Sequence, residues 1–464
     1  MTALEYRILV PASSLVEIEE TLRPIPLSTE REIDAFYSEK YRLARGADRM
    51  SHLSVQLGRR GGDTPFHGFV TGHPGVGKST EISKLLLKHA DRFRAIRISA
   101  ATELFPGGFR IHDLLWLMTI RILEATKDPV ISGFSEKLSP GLLKDVRYEL
   151  SERWVKILGL TKGDLEGGLD FKLIARIKAT LKISRQKTEE TTEYSFSALS
   201  DLTQVVNRVF KECNSVLRHE QQKDWIFVVE DFEKLGIEAE SLRTLFIDYS
   251  RLFEQLSCHL LFVIPVGLAY TEDAERMPFG RERQFMIPDI AVFTKDHDID
   301  EEGVGALVEV VSRRIRRELL DEDLARSLAV ASGGNIRDLF DLLRRAALSA
   351  EVRAGARIER RDALEAVNAM RSDYRFRLGE NLFDEASSIA IKTKLDKLEA
   401  IYSGDAAAQV PDKVLYVLLR QRIVLQFNGQ YWFGVHPLVV DILKEQTERS
   451  IKPDSPGGTD FHDR

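Results

Sequence analysis

The chain has 464 residues, 43% hydrophobic and 30% charged, which is too long for one ordinary core and enough for about three domains. Its 66 basic and 72 acidic residues leave a net charge of −6, so no global basic field points to nucleic acid. No apolar run approaches the roughly 18 residues that span a membrane. The segment Met1 to Arg7 lacks a signal-peptide pattern, and Cys213 and Cys258 are too few for a disulfide framework, so a reducing cytoplasm is expected.

Residues 1–64 read as an N-terminal helical segment. A mixed stretch from Leu4 to Pro26 leads into a helix from Glu30 to about Leu57, with Ile33, Phe36, Tyr37 and Tyr41 on one side. Such a helix either covers a nucleotide base or simply packs, and the residues leave both open. Phe66 to Val70 reads as a buried strand. It runs into Gly72-His73-Pro74-Gly75-Val76-Gly77-Lys78-Ser79-Thr80, which fits the phosphate-binding pattern G-x-x-x-x-G-K-[ST] without mismatch. Its glycines let the backbone curl with N–H groups toward phosphate oxygens; Lys78 supplies a point charge and Ser79 a magnesium ligand. Ile82, Leu85 and Leu86 recur at helical spacing, so the loop lies between strand and helix.

Phe93 to Ala100 alternates like a second strand beside the first, and Ile111, Leu114, Leu115, Met118 and Ile122 mark a helix. Residues 128–224 form an insertion within an ATPase domain at 65–298. Inside it, Phe171, Leu173, Ala175, Ile177, Ala179, Leu181 and Ile183 alternate with Lys172, Arg176, Lys178 and Lys182 at strand period. That pattern suits either a basic ribbon against phosphate or, the favoured reading, an edge strand guarded by lysines. A helical run from Leu202 to Leu217 returns the chain to the sheet.

Trp225 to Leu235 is an apolar strand ending in carboxylates, beside the phosphate loop in a parallel sheet. Glu230 is assigned to magnesium and Asp231 to orienting or deprotonating the attacking water, with the reverse order open. Leu242 to Leu256 carries a helical core stripe, and Leu260 to Val266 is a further strand. Many ATPases of this build place a γ-phosphate-sensing polar residue at that strand's end. Here Pro265 stands there and has no hydrogen to donate, which lowers the expected rate of hydrolysis. Arg281 and Arg283 precede a last strand at Phe285 to Pro288, where an arginine can serve a neighbouring copy's γ-phosphate; a surface charge pair is the alternative.

Helical patterns then fill a lid at 299–371. Within it Gly333-Gly334-Asn335-Ile336-Arg337 caps one helix and starts another, which places Arg337 at a helix N-terminus facing phosphate or, alternatively, paired with Asp338 or Asp341. Residues 372–446 read as a winged helix, with a helix around Val414 to Leu418 and strands at 423–427 and 431–435 joined through Asn428-Gly429. Its nearby cations are Arg420, Arg422 and Lys444, thin support for DNA. Residues 447–464 are expected to be disordered.

The ordered series at 72–81, 228–235, 258–265, 333–339 and 432–439 resembles a family of bacterial AAA+-like ATPases, similar to the broader STAND and origin-recognition group and often found in conflict or phage-defence settings. The resemblance implies an α/β P-loop core with a parallel sheet, a helical lid and a C-terminal winged helix, with ATP and Mg2+ as ligands. It makes Lys78 and Ser79 the phosphate and magnesium residues, Glu230 and Asp231 the acidic pair, and Arg337 the second sensor. The function expected is a slowly hydrolysing, ATP-dependent conformational switch acting on a protein partner, with homo-oligomers if an arginine finger operates. A DNA-binding ATPase of origin-recognition type is the alternative, and no membrane association is expected.

Overall fold

Parallel strands buried on both faces read as unbroken apolar runs, and the centre of the molecule is built from them. A computed structural model of the chain describes residues 9–46, 48–59, 64–104, 110–128, 138–139, 141, 196–234, 242–270, 272–379, 389–427 and 432–451. Strands β1 (His67–Gly72), β2 (Phe93–Ser99), β3 (Asp224–Glu230), β4 (His259–Pro265) and β5 (Gln284–Met286) form a five-stranded parallel sheet in the order β2-β3-β4-β1-β5. This is the expected α/β P-loop fold in its AAA+ arrangement. The second strand does not lie beside the first, because β3 and β4 come between them. Both are buried along nearly their whole length and take the centre; β2, with Arg94, Ala95 and Arg97 outside the core, takes the edge.

Among the described residues four helices precede the sheet: α1 (Leu15–Thr21), α2 (Glu30–Phe36), α3 (Glu39–Ala44) and α4 (Arg49–Gly58). The single helix expected from Glu30 to Leu57 is therefore three. Tyr37 is extended, Ser38 caps α3, the chain turns left-handed at Gly46, and Asp48 caps α4, so local capping overrides the helical stripe. Helix α5 (Lys78–Lys88) leaves the phosphate loop, and α6 (Ala100–Glu103) follows β2. Helices α7 (Ile111–Lys127) and α8 (Phe196–Gln221) pack on each other and on β2 and β3. The end of the expected insertion thus belongs to the layer covering the sheet. Lys172, Arg176, Lys178 and Lys182 lie outside the described residues. The stripe after β3 forms a π-helical turn, Thr244–Asp248, and then α9 (Ser250–Glu254).

Helices α10 (Glu301–Ser312), α11 (Glu322–Ala331), α12 (Ile336–Val352) and α13 (Arg360–Leu378) follow the sheet. Met370, Tyr374 and Leu378 keep one face of α13 buried, so the helix runs through the boundary expected at 371. Then come α14 (Ile391–Tyr402), α15 (Lys413–Arg420), the antiparallel hairpin β6 (Val424–Phe427) and β7 (Trp432–Val435), and α16 (Pro437–Ile451). The Asn428-Gly429 turn lies outside the described residues. Helix α16 takes the first residues of the tail expected to be disordered; 452–464 lie outside the description. The N-terminal segment joins the lid: Ala12 bridges to Ile315, and α1 packs on α12 in the core that also holds the hairpin. Among the described residues no helix is long and apolar enough to cross a membrane.

Candidate nucleotide-binding site

The carboxyl ends of β1 and β3 deliver the phosphate loop and the acidic cluster to the same edge of the sheet, with β4 between them. Helix α5 begins at Lys78 with Gly77 as a left-handed N-cap, so its unpaired N–H groups and the positive end of its dipole open into the site. A cavity of about 160 Å³ lies there, lined among others by Gly75, Gly77, Lys78, Ser79, Asp231 and Arg337.

Every residue of the motif has a definite place. Lys78 Nζ donates to Gly72 O (2.8 Å) and His73 O (3.1 Å) and lies 3.2 Å from a Glu233 carboxylate oxygen. His73 is buried with its Nδ1 2.5 Å from Asp289 Oδ2. Pro74 O accepts from Asn335 Nδ2 at 3.1 Å, and Val76 O accepts from Arg45. Thr80 Oγ1 accepts the Leu27 N–H at 3.1 Å. The loop is thus held by the N-terminal segment on one side and the lid on the other.

Ser79 and Glu230, both expected at magnesium, are brought together: Ser79 Oγ donates to Glu230 Oε2 at 2.9 Å. Arg97 on β2 holds the same carboxylate, Nε to Oε1 at 2.8 Å and Nη2 to Oε2 at 3.1 Å. Asp231 follows in the left-handed region at φ 70°, an uncommon conformation for a non-glycine residue. Its carboxylate accepts from Ser99 Oγ (2.7 Å) and pairs with Lys234 Nζ (2.6 Å). Burial alone would raise the Asp231 carboxyl, but Lys234, Ser99 and Lys78 outweigh it and hold it below the usual carboxylate range. Among the described residues no group of His, Cys, Asp and Glu converges as a metal cage. The hard oxygens of Ser79 and Glu230 fit Mg2+, which takes a carboxylate or two and fills its remaining positions with phosphate and water.

Arg337 is the second residue of α12, whose N-cap is Asn335. Neither alternative partner engages it: Asp338 pairs with Arg422 at 2.9 Å and Asp341 with Arg345 at 2.9 Å. Burial and the positive Arg422 both disfavour its charge, so an anion in the cavity is favoured against it. Pro265 stands at the end of β4, opposite Gly72. Arg281 and Arg283 are not brought to the loop. They precede β5 at the amino-terminal edge of the sheet, where Arg283 O faces Gly68, roughly 13 Å along β1 from Gly72 at the usual strand rise. Arg281 pairs with Glu275 at 3.0 Å, and Arg283 covers the Phe66 ring. Within this chain both therefore lie away from the phosphate loop, with partners on the opposite edge of the sheet.

Several residues of the site carry no motif. Arg45 is buried, pairs with Glu81 at 2.7 Å and covers the Tyr41 ring; Tyr37 donates to the same Glu81 at 2.9 Å. Burial and the adjacent Glu81 push the Tyr37 hydroxyl up, so it remains a donor. Helical spacing singles out Tyr37 and Tyr41 but not their function. Glu233 sits in the acidic run already noted, and its position three residues after Glu230 was its sole signal. Arg422, one of the cations weighed as DNA contacts, is turned inward to Asp338.

No family model and no curated protein matches the chain. Solved structures do. The ORC1 protein of Aeropyrum pernix in complex with DNA is 14% identical, with 88% of this chain and 97% of that one covered at a TM-score of 0.36. Cdc6p from Pyrobaculum aerophilum is 13% identical over 94% and 99%, at 0.34. The ORC2 protein of Aeropyrum pernix in ADPNP–ADP complexes is 13% identical over 93% and 98%, at 0.39. At these values the likeness transfers no ligand and no partner, and the fold rests on the strand order and the loop between β1 and α5.

Proposed function

We propose that the chain binds ATP with Mg2+ and acts as a nucleotide-dependent conformational switch with slow hydrolysis. The observation that carries this reading is that Lys78 of the core and Arg337 of the lid line one cavity, whose wall also includes Pro24 to Leu27 of the N-terminal segment. A triphosphate touching both cations ties lid position to the presence of the γ-phosphate, and a ligand shifts such an equilibrium by its differential affinity for the two arrangements.

The helix N-terminus of α5 and Lys78 take the phosphates. Ser79 and Glu230 hold Mg2+, which supplies charge neutralisation on the phosphate oxygens when bound. Arg97 fixes the Glu230 carboxylate through its paired N–H groups. Asp231, kept ionised by Ser99 and Lys234, accepts a hydrogen bond from a water but is a weak base, because the best general base has a pKa near the working pH. Pro265 adds no donor. Both features favour binding over turnover.

Titration calorimetry of the full chain with ATP and Mg2+ tests the reading. Wild type should give saturable heat, and Lys78→Ala should remove it; equal affinity in the two proteins refutes the site.

A further inference from the structure

A continuous buried polar chain leaves the phosphate loop and ends in the C-terminal hairpin region. His73 Nδ1 meets Asp289 Oδ2, and Asp289 Oδ1 accepts from Asn335 Nδ2 at 3.2 Å. Asn335 Nδ2 also reaches Pro74 O of the loop, while its Oδ1 accepts the Arg337 N–H at 3.1 Å and lies 3.4 Å from Arg422 Nη1. That same Nη1 donates to Asp338 Oδ1 at 2.9 Å. His73, Asp289, Asn335 and Asp338 are all buried, and the positive Arg422 helps to keep the Asp289 carboxylate charged. Two further contacts join the parts: the Asp289 N–H donates to Gln426 O on β6 at 3.0 Å, and Tyr374 donates to Asp338 Oδ2 at 2.8 Å. The turn before Asn335 needs Gly334, at φ +90°, because a side chain there would collide with Ile290 O.

We propose that Arg422 is a positioning residue for the nucleotide site: from beside the hairpin it holds Asn335 and Asp338, and through them the helix start that places Arg337 against the phosphate loop. The proposal rests on the nucleotide reading above and adds the hairpin to the switch. In a low-dielectric interior each link of such a chain constrains the next, and an unpaired member is costly, so the chain moves as a unit or not at all. Arg422 and Arg337 repel each other across Asn335, and a γ-phosphate at Arg337 relieves that repulsion. Reciprocity follows: if the hairpin side sets the affinity for triphosphate, triphosphate sets the stability of the hairpin side by the same factor.

The test uses the full chain in two independent measurements. In wild type, amide exchange at Val424–Phe427 and at Asp289 should slow by about tenfold or more with Mg-ATP relative to Mg-ADP, a typical coupling. Exchange differences confined to β1 and α5 overturn the relay. In calorimetry, Arg422→Met should weaken ATP at least about tenfold and ADP much less, with Arg422→Lys recovering part of the loss. Equal losses for ATP and ADP reduce Arg422 to a purely structural role and also overturn it. Wild type that gives no heat with either nucleotide refutes the nucleotide reading itself, whereas binding without a hairpin response refutes the relay alone.

Discussion

Gly75 shows how closely the lid approaches the loop. It adopts φ +95°, and an added Cβ would meet Asn335 Oδ1 and stand 2.6 Å from Arg337 Cβ. Gly75→Ala therefore combines a disfavoured backbone with a collision against the lid, and should cost about 1–3 kcal/mol of stability while weakening ATP. Urea unfolding and calorimetry measure the two effects. A variant with unchanged stability and affinity means that the lid does not rest on the loop in solution. At this scale the sequence is informative where chemistry is local. The phosphate loop, Ser79, Glu230 and Arg337 are legible because fixed spacing on one strand, turn or helix start defines them. Asp289, Arg97 and the inward face of Arg422 are not legible, since their partners Asn335, Glu230 and Asp338 are remote in the chain and nothing local distinguishes them from surface charges.

Elements were legible in type more than in arrangement. Unbroken apolar runs mark β3 and β4 as buried parallel strands, but periodicity says nothing about neighbours, and the expectation that β2 lies beside β1 fails because β2 takes the far edge. The helical stripe from Glu30 concealed the caps at Ser38 and Asp48. The segment before Pro26 had no clear period, yet α1 packs on α12 and carries the fully buried Ile18. Truncating Ile18 to Ala removes buried methyl groups and leaves a cavity, so a loss of about 2–5 kcal/mol is expected in equilibrium denaturation. Because α12 also presents Arg337, the same variant should loosen ATP binding. A loss below about 1 kcal/mol contradicts the burial of α1 against the lid.

At the scale of the whole molecule, packing between distant segments buries histidines in neutral form, which makes stability depend on pH. His436 lies against the turn at Ser332, with its Nδ1 accepting the Leu438 N–H and its Nε2 directed to Ser332 O at 3.3 Å, a set suited to the neutral ring. Its ring stacks on Tyr374, and Asp338, Arg422 and Arg377 are the charges around it. Burial lowers its pKa from 6.5 to about 4, with Arg422 adding to the effect and Asp338 opposing it. His67 at the start of β1 is likewise lowered from 6.5 to about 4, first by burial. From about pH 7.5 upward both folded and unfolded chains carry these rings neutral, and they contribute almost no pH dependence. Between 6.5 and 4 the unfolded chain binds protons that the folded chain refuses, so stability falls as pH falls. Each shift is worth about 3 kcal/mol once complete. The urea midpoint should be level above about pH 7.5, begin to fall near 6.5 and decline steadily toward 4.5, and His436→Gln should make that decline shallower. A midpoint that stays level to pH 4.5 contradicts the neutral burial of both rings, and with it the close packing of the hairpin region on the lid that keeps His436 from water.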